Sequence, residues 1–379
     1  METSVCLYSP NLLLVDECGD TELICAARKG DVSSCRDLLE AGADVNASNQ
    51  YNSQTALLVA IDNHHVHVVE VLLAYDADVQ MVDNVGITPI YSAIRIKDNV
   101  VRNQMVTLLI SAGCDVNVGS QDHAPLFLAA RLGALSVVQM LCKASCDINV
   151  SNKYGVTPIY EAVLNGHNLV LDFLLSQGGC INKQDMYGVS ALHVAAMFDK
   201  REAVELLLKA GACVKLRDHD GRCAVHVAVE QGKSQVVEIF LKHGVDITCA
   251  PTSIIKLPCL RRAAQNGYAD TIRVLIRGCS RLPVEEIMEI FRDNCELLEM
   301  YLQSGVDDHR LNILRSYLAS CEDPTKQMRI KSFCQSVPSL KQLSRVTVRQ
   351  CLGNKILSSV IFLPLPVGLQ SYISLDRVL

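Results

Sequence analysis

A period of about 33 residues constrains this chain more than any other feature of its sequence. One copy opens at Asp185-Met186-Tyr187-Gly188-Val189-Ser190-Ala191-Leu192-His193-Val194-Ala195-Ala196 and runs on to Ala203-Val204-Glu205-Leu206-Leu207-Leu208-Lys209-Ala210-Gly211-Ala212. Equivalent starting positions fall at Thr21, Thr55, Thr88, Ala124, Thr157, Ser190, Cys223 and Leu257, in steps of 34, 33, 36, 33, 33, 33 and 34. A second landmark follows 21 residues later, at Gly42, Asp76, Ser145, Gly178, Gly211, Gly244 and Gly278. Self-similarity at a fixed period means that each copy is one supersecondary unit. It cannot bury its apolar face alone and is stable only against its neighbours.

Each landmark has a physical reading. Thr or Ser at the start caps a helix by accepting a backbone N–H. Pro89, Pro125, Pro158 and Pro258 follow at the first helical position, where no N–H is needed. Ala pairs such as Ala26-Ala27, Ala129-Ala130 and Ala263-Ala264 let neighbouring helices approach closely. Gly30, Gly133, Gly166, Gly232 and Gly267 end the first helix in a left-handed turn. A Val/Leu block such as Val68-Val69-Glu70-Val71-Leu72-Leu73 gives the second helix its buried stripe. Asp and Asn after the late Gly (Asp44, Asn46, Asp115, Asn117, Asp147) are turn formers.

The period and the Thr-Pro-Leu-His-x-Ala pattern resemble the ankyrin repeat. The resemblance implies an all-α solenoid of helix pairs with short β-hairpin fingers. About eight repeats are expected over 16–280, after an N-terminal extension at 1–15. A degenerate capping repeat is expected at 281–305 and a helical linker at 306–336. First helices and finger tips would line a concave surface, and Tyr51, Tyr154, Tyr187 and His219 are the candidate partner-binding residues there. Repeat three carries about four extra residues around Arg95–Gln104, expected as a charged loop on the edge opposite the fingers.

Other residues lose their first appeal in this frame. His64, His65 and His67 suggest a metal cluster, yet His65 occupies the turn position seen again as Gly166-His167. His193 and His226 are expected to bond backbone between repeats and are not a catalytic pair. Cys114, Cys146 and Cys279 occupy a small buried slot that Ala fills elsewhere. Cys142 and Cys146 would share a helix face but face no further ligands. The 17 Cys are an odd number without a paired framework, so free thiols in a reducing compartment are expected. Net charge is -6 and no basic run occurs, so no nucleic-acid footprint is present. No signal peptide and no membrane span are expected, since no apolar run approaches about eighteen residues. The expected location is the cytoplasm, with the nucleus as a further site. The sequence has no phosphate loop, HExxH or nucleophile elbow; no enzyme, cofactor or metal is expected.

The last forty residues follow another logic. Ser339–Leu352 reads as an amphipathic helix after Pro338, with Leu340, Ser344 and Val348 on one face and Leu343 beside them. Then Leu363-Pro364-Leu365-Pro366 holds the backbone extended and apolar. In this order, behind the repeats, the two segments at 337–379 resemble the SOCS box, and the whole chain resembles the ankyrin repeat and SOCS box protein family. That resemblance implies elongin B and elongin C on Leu340, Leu343, Ser344 and Val348. It implies Cullin-5 with its RING-box protein on Leu363, Pro364, Leu365 and Pro366, and an unidentified protein substrate on the repeats. The family has Cys where this chain has Ser344; a hydroxyl in an apolar pocket costs on the order of 1 kcal/mol unless bonded. The implied function is a ubiquitin-ligase adaptor that directs its target to ubiquitination and proteasomal degradation. The alternative is an ankyrin scaffold whose C-terminal segment is only a cap.

Overall fold

A computed structural model describes residues 16, 19–118, 124–245 and 259–278. The regions expected as capping repeat, linker and SOCS box lie outside the described residues, as does Pro258. Sixteen helices are described, and the chain divides into two compact units, 1–227 and 228–379.

The pairs of the first unit are α1 (Glu22–Lys29) with α2 (Val32–Glu40), α3 (Ala56–Asp62) with α4 (Val66–Ala74), and α5 (Pro89–Arg95) with α6 (Asn99–Ser111). They continue with α7 (Pro125–Leu132) and α8 (Leu135–Lys143), α9 (Pro158–Asn165) and α10 (Asn168–Ser176), and α11 (Ala191–Met197) and α12 (Arg201–Lys209). First helices pack on first helices, α1 on α3 through to α9 on α11, and second helices pack on second helices, α2 on α4 through to α10 on α12. Helices of seven to nine residues are too short to persist alone, so these contacts are what makes them helical. The division between the units falls within α13 (Ala224–Glu230). In the second unit α14 (Ser234–Lys242) and α15 (Cys259–Gln265) both pack on α16 (Ala269–Gly278).

The capping chemistry follows the sequence. Thr21, Thr55, Thr88 and Thr157 each accept the N–H three residues on, from Ile24, Leu58, Tyr91 and Tyr160. Pro89, Pro125 and Pro158 sit in the first turn. The second helices bury a stripe at i, i+1 and i+4: Val68, Val69 and Leu72; Val137, Val138 and Leu141; Val170, Leu171 and Leu174; Ala203, Val204 and Leu207. Each buried Val or Leu side chain contributes about 1.5–3 kcal/mol, enough in sum to offset ordering such short elements.

The late landmark is left-handed whether or not it is glycine: Gly42 has φ 90°, Asp76 59° and Ser145 61°. The same holds at the mid-repeat turn, where His64 (φ 66°) and Asp199 (φ 56°) stand where Gly30 and Gly133 stand elsewhere. Among the described residues the fingers are tight turns, two of them closed by an isolated antiparallel bridge, Ser48 to Thr55 and Gln184 to Ser190. One expectation is corrected. The extra residues of repeat three form helix and not a charged loop: α6 has 13 residues where α4 and α8 have 9. Asp98 caps it, accepting from the N–H groups of Val100 and Val101. The Arg102 guanidinium reaches back to the Ile96 carbonyl at 3.3 Å and to Asn99 Oδ1.

Candidate functional site

The finger tips are the site that the fold builds most regularly. Among the described tips, three begin with Asp or Asn whose Oδ1 accepts the N–H groups two and four places on. Asp83 takes those of Val85 and Ile87, Asn152 those of Tyr154 and Val156, and Asp185 those of Tyr187 and Val189, all at 2.8–3.0 Å. The turn therefore projects the residue two places on from its acid or amide. Those residues are Tyr51, Val85, Tyr154 and Tyr187, exposed by 72%, 65%, 47% and 62%. His219 is exposed as well but stands one place earlier in its turn. The exposed tip residues Val85 and Met186 were passed over in the sequence; the shared register of Val85 with Tyr154 and Tyr187 was the signal available for it.

Bonds join successive tips at several places among the described residues. Met186 donates its N–H to the Tyr154 carbonyl at 2.8 Å, His219 to that of Tyr187 at 3.0 Å, and Asn84 to that of Asn52 at 3.0 Å. Glycine is needed at the contact: a Cβ on Gly188 would stand 3.0 Å from the Asp218 Cα, and one on Gly19 would meet the Tyr51 ring at 2.8 Å. Below the tips a second ladder runs between finger bases. The Oδ1 atoms of Asn46, Asn117, Asn149 and Asn182 accept the N–H groups of Asp78, Asp147, Cys180 and Cys213 at 2.7–2.8 Å. Asp44 and Asp115 instead accept within their own turns. Turn formation alone thus explains the Asp of these pairs, while the Asn joins repeats.

Several ionisable groups border this surface. Burial, then Asp185, pushes the Tyr160 hydroxyl up to about 12. Burial lifts the Glu161 carboxyl above its ordinary value against the pull of Arg131. Asp20 is buried and bonded to Arg28 and Asn49, and Asn49 Oδ1 accepts the Tyr51 N–H at 2.7 Å. Lys153 lies 5.1 Å over the Tyr154 ring, a cation–π contact. Asp16, Asp20 and Cys25 bring three potential metal-ligand atoms within 4.8 Å of one another. Protein contacts already engage them, since the Cys25 thiol donates to Asp16 and Asp20 holds Arg28.

His65, His167 and His193 serve the stacking of repeats. His65 and His167 each lay a ring across a left-handed glycine of the preceding repeat, Gly30 and Gly133, and donate from Nε2 to the Arg28 and Arg131 carbonyls at 3.2 and 3.0 Å. His193 donates from Nε2 to the Arg222 carbonyl at 3.0 Å, and its Nδ1 accepts from the Ser190 hydroxyl at 2.8 Å. Cys223 and His226 repeat the Ser190–His193 arrangement, with Sγ 2.8 Å from Nδ1. That thiol is buried, which closes it to a substrate. The elongin-binding candidates Leu340, Leu343, Ser344 and Val348 and the cullin-binding candidates Leu363, Pro364, Leu365 and Pro366 lie outside the described residues.

Comparison with known proteins agrees with the fold. Ankyrin repeats, in three overlapping copies, match residues 23–120, 99–185 and 179–251, and a SOCS box matches residues 336–374. The chain is thus an ankyrin-repeat protein. With the second match downstream of the repeats, it belongs to the ankyrin repeat and SOCS box family. Ankyrin repeats followed by a SOCS box are an adaptor type of architecture.

Among curated relatives, the ankyrin repeat and KH domain-containing protein mask-1 of Caenorhabditis elegans is 30% identical over 40% of this chain. Rabankyrin-5 of Mus musculus is 28% identical over 42% of it. The matches span only 6% and 14% of those relatives. The solved ankyrin repeat domain of human ASB11 aligns with a TM-score of 0.47 at 24% identity, covering 55% of this chain and 92% of that one.

Proposed function

We propose that this chain is the substrate-recruiting subunit of an elongin BC–Cullin-5–RING-box ubiquitin ligase, directing a bound protein to ubiquitination and degradation. One observation carries the reading: a SOCS box match at 336–374 follows an ankyrin array matched over 23–251. Leu340, Leu343, Ser344 and Val348, and the strip Leu363–Pro366, all fall inside the matched segment. The repeats supply finger tips with exposed Tyr51, Val85, Tyr154 and Tyr187 for a protein target, bonded tip to tip from Asn52 to Asn84 and from Tyr154 to His219. The ligase chemistry belongs to the other subunits, and this chain supplies proximity. The free thiols of Cys35 and Cys114 suit a reducing compartment, which favours the cytoplasm or nucleus.

The test is Leu340→Asp in the full chain. A carboxylate forced into an apolar pocket costs at least about 3 kcal/mol, or roughly a hundredfold in affinity. Capture of elongins B and C is therefore expected to fail while the helical circular dichroism of the repeats is unchanged. Undiminished capture would leave the scaffold reading, with the C-terminal segment a cap.

A further inference from the structure

We infer that Cys142 and Cys146 form a peroxide-reactive dithiol that closes to an intrachain disulfide at the base of the finger bearing Tyr154. The two would lie on one helix face if α8 ran through both, but it ends at Lys143. Ser145 turns left-handed with φ 61°, and the chain folds back over the helix end. Two reversed bonds fix that turn: Ser145 N–H to the Cys142 carbonyl and Cys146 N–H to the Leu141 carbonyl, both at 3.1 Å. The turn brings the sulfurs to 3.8 Å, van der Waals contact. A disulfide needs about 2 Å, and the last turn of a short helix yields the remaining movement.

The environment orders the two thiols. Cys142 is half-buried and Cys146 is buried. The Cys146 S–H donates to the Cys142 sulfur, which holds the Cys142 thiol below its ordinary value and the Cys146 thiol above it. Cys142 is thus the accessible sulfur that ionises first. Its thiolate attacks a peroxide oxygen and the O–O bond breaks. The departing oxygen takes a proton and leaves as water, and Cys142 becomes a sulfenic acid. The Cys146 sulfur then attacks Cys142, the S–S bond forms, and the sulfenic oxygen leaves as a second water with the Cys146 proton. Two thiols are oxidised and one hydrogen peroxide is reduced to two waters. By contrast, burial pushes the Cys35 and Cys114 thiols up to about 11.

The bond would tie the end of α8 to Asp147, whose N–H is held by Asn117 at 2.7 Å. That is the root of the finger carrying Lys153 and Tyr154. The inference is independent of the ligase reading.

In the experiment, the reduced full chain meets one equivalent of hydrogen peroxide. Remaining thiols are then blocked with N-ethylmaleimide, and the chain is digested with trypsin. Cleavage after Lys143 separates the two cysteines, so the disulfide appears as peptide 132–143 joined to peptide 144–153. The joined pair should dominate while the exposed Cys180 and Cys213 remain alkylated, and dithiothreitol should release it. Cys146→Ala keeps the fold, because Ala43, Ala77 and Ala212 fill the same slot; it should leave Cys142 as a sulfenic acid captured by dimedone. Cys142→Ser should leave Cys146 alkylated. The inference fails if peptides 132–143 and 144–153 stay separate and alkylated when Cys180 and Cys213 are already oxidised, or if Cys142 pairs with another cysteine.

Discussion

His193 shows how one side chain can join two repeats and carry a pH dependence. It is buried, and both ring nitrogens are satisfied only in the neutral form with the proton on Nε2. Burial, the largest cause, holds its pKa below the ordinary value of 6.5. The unfolded chain therefore takes up a proton near pH 6.5, before the folded chain does. Above that pH both states are neutral and the ring's contribution is constant. As pH falls below it, stability is lost until the folded state also protonates. Urea unfolding at pH 7.5 and at pH 5.5 should show a larger loss for the native chain than for His193→Gln; equal losses would mean that the buried ring is not what senses pH. Gly133 gives a second test. Its φ is 70°, and an added Cβ would stand 2.5 Å from His167 Nδ1. Gly133→Ala should cost about 2–3 kcal/mol, from left-handed strain and the displaced His167 bond. Gly42→Ala, where nothing lies within 4 Å, should cost only about 1 kcal/mol. Chemical denaturation of the two variants side by side measures the difference.

At the scale of the element, α6 marks where local reading of charge misled. Arg95–Gln104 holds several polar residues, which suggested a surface loop. The deciding signals were Asp98 in a capping position and an apolar Val100-Val101 pair, after which helix propensity continues unbroken to Ser111. Four residues then add about one helical turn. Arg102 is drawn inward because the buried carbonyl of Ile96 needs a donor. Arg102→Ala should destabilise the chain by about 2 kcal/mol, while Lys97→Ala, at an exposed position of the same segment, should stay within about 0.5 kcal/mol. Thermal unfolding of the two variants separates a helix closed by its own arginine from a charged loop, in which either loss would be equally mild.

For the molecule as a whole, the consequence of the adaptor reading is a division of labour. Leu363-Pro364-Leu365-Pro366 follows the Leu340–Val348 segment at a distance of some fifteen residues, room enough to meet a different partner. Replacing Pro364 and Pro366 together with Ala lifts the restriction that proline places on the backbone and trims apolar surface, at about 0.4–1 kcal/mol of ordering entropy for each proline plus the lost surface. The double variant should keep elongins B and C, lose most of its Cullin-5, and still hold any target bound by the finger tips. A pull-down scored for elongins and Cullin-5 measures this; loss of elongins with retention of Cullin-5 would reverse the two roles.

What the sequence by itself determined is what depends on near neighbours along the chain. Caps at Thr21, Thr55, Thr88 and Thr157, prolines in first turns and left-handed turns at fixed offsets each depend on a few adjacent residues, and repetition at one period made them legible. The period located Asp76 and Ser145 at the second landmark, and the structure shows that both turn left-handed there without being glycine. Only the tertiary structure decided which residues join the repeats. His167 finds a carbonyl 36 positions back, His193 one 29 positions ahead, and Asn182 an N–H 31 positions ahead. The period says only that such partners are one repeat away; which atom meets which is set by how the pairs stack. The same holds for the bonds between tips, Asn84 to Asn52, Met186 to Tyr154 and His219 to Tyr187, which exist only once the repeats are packed.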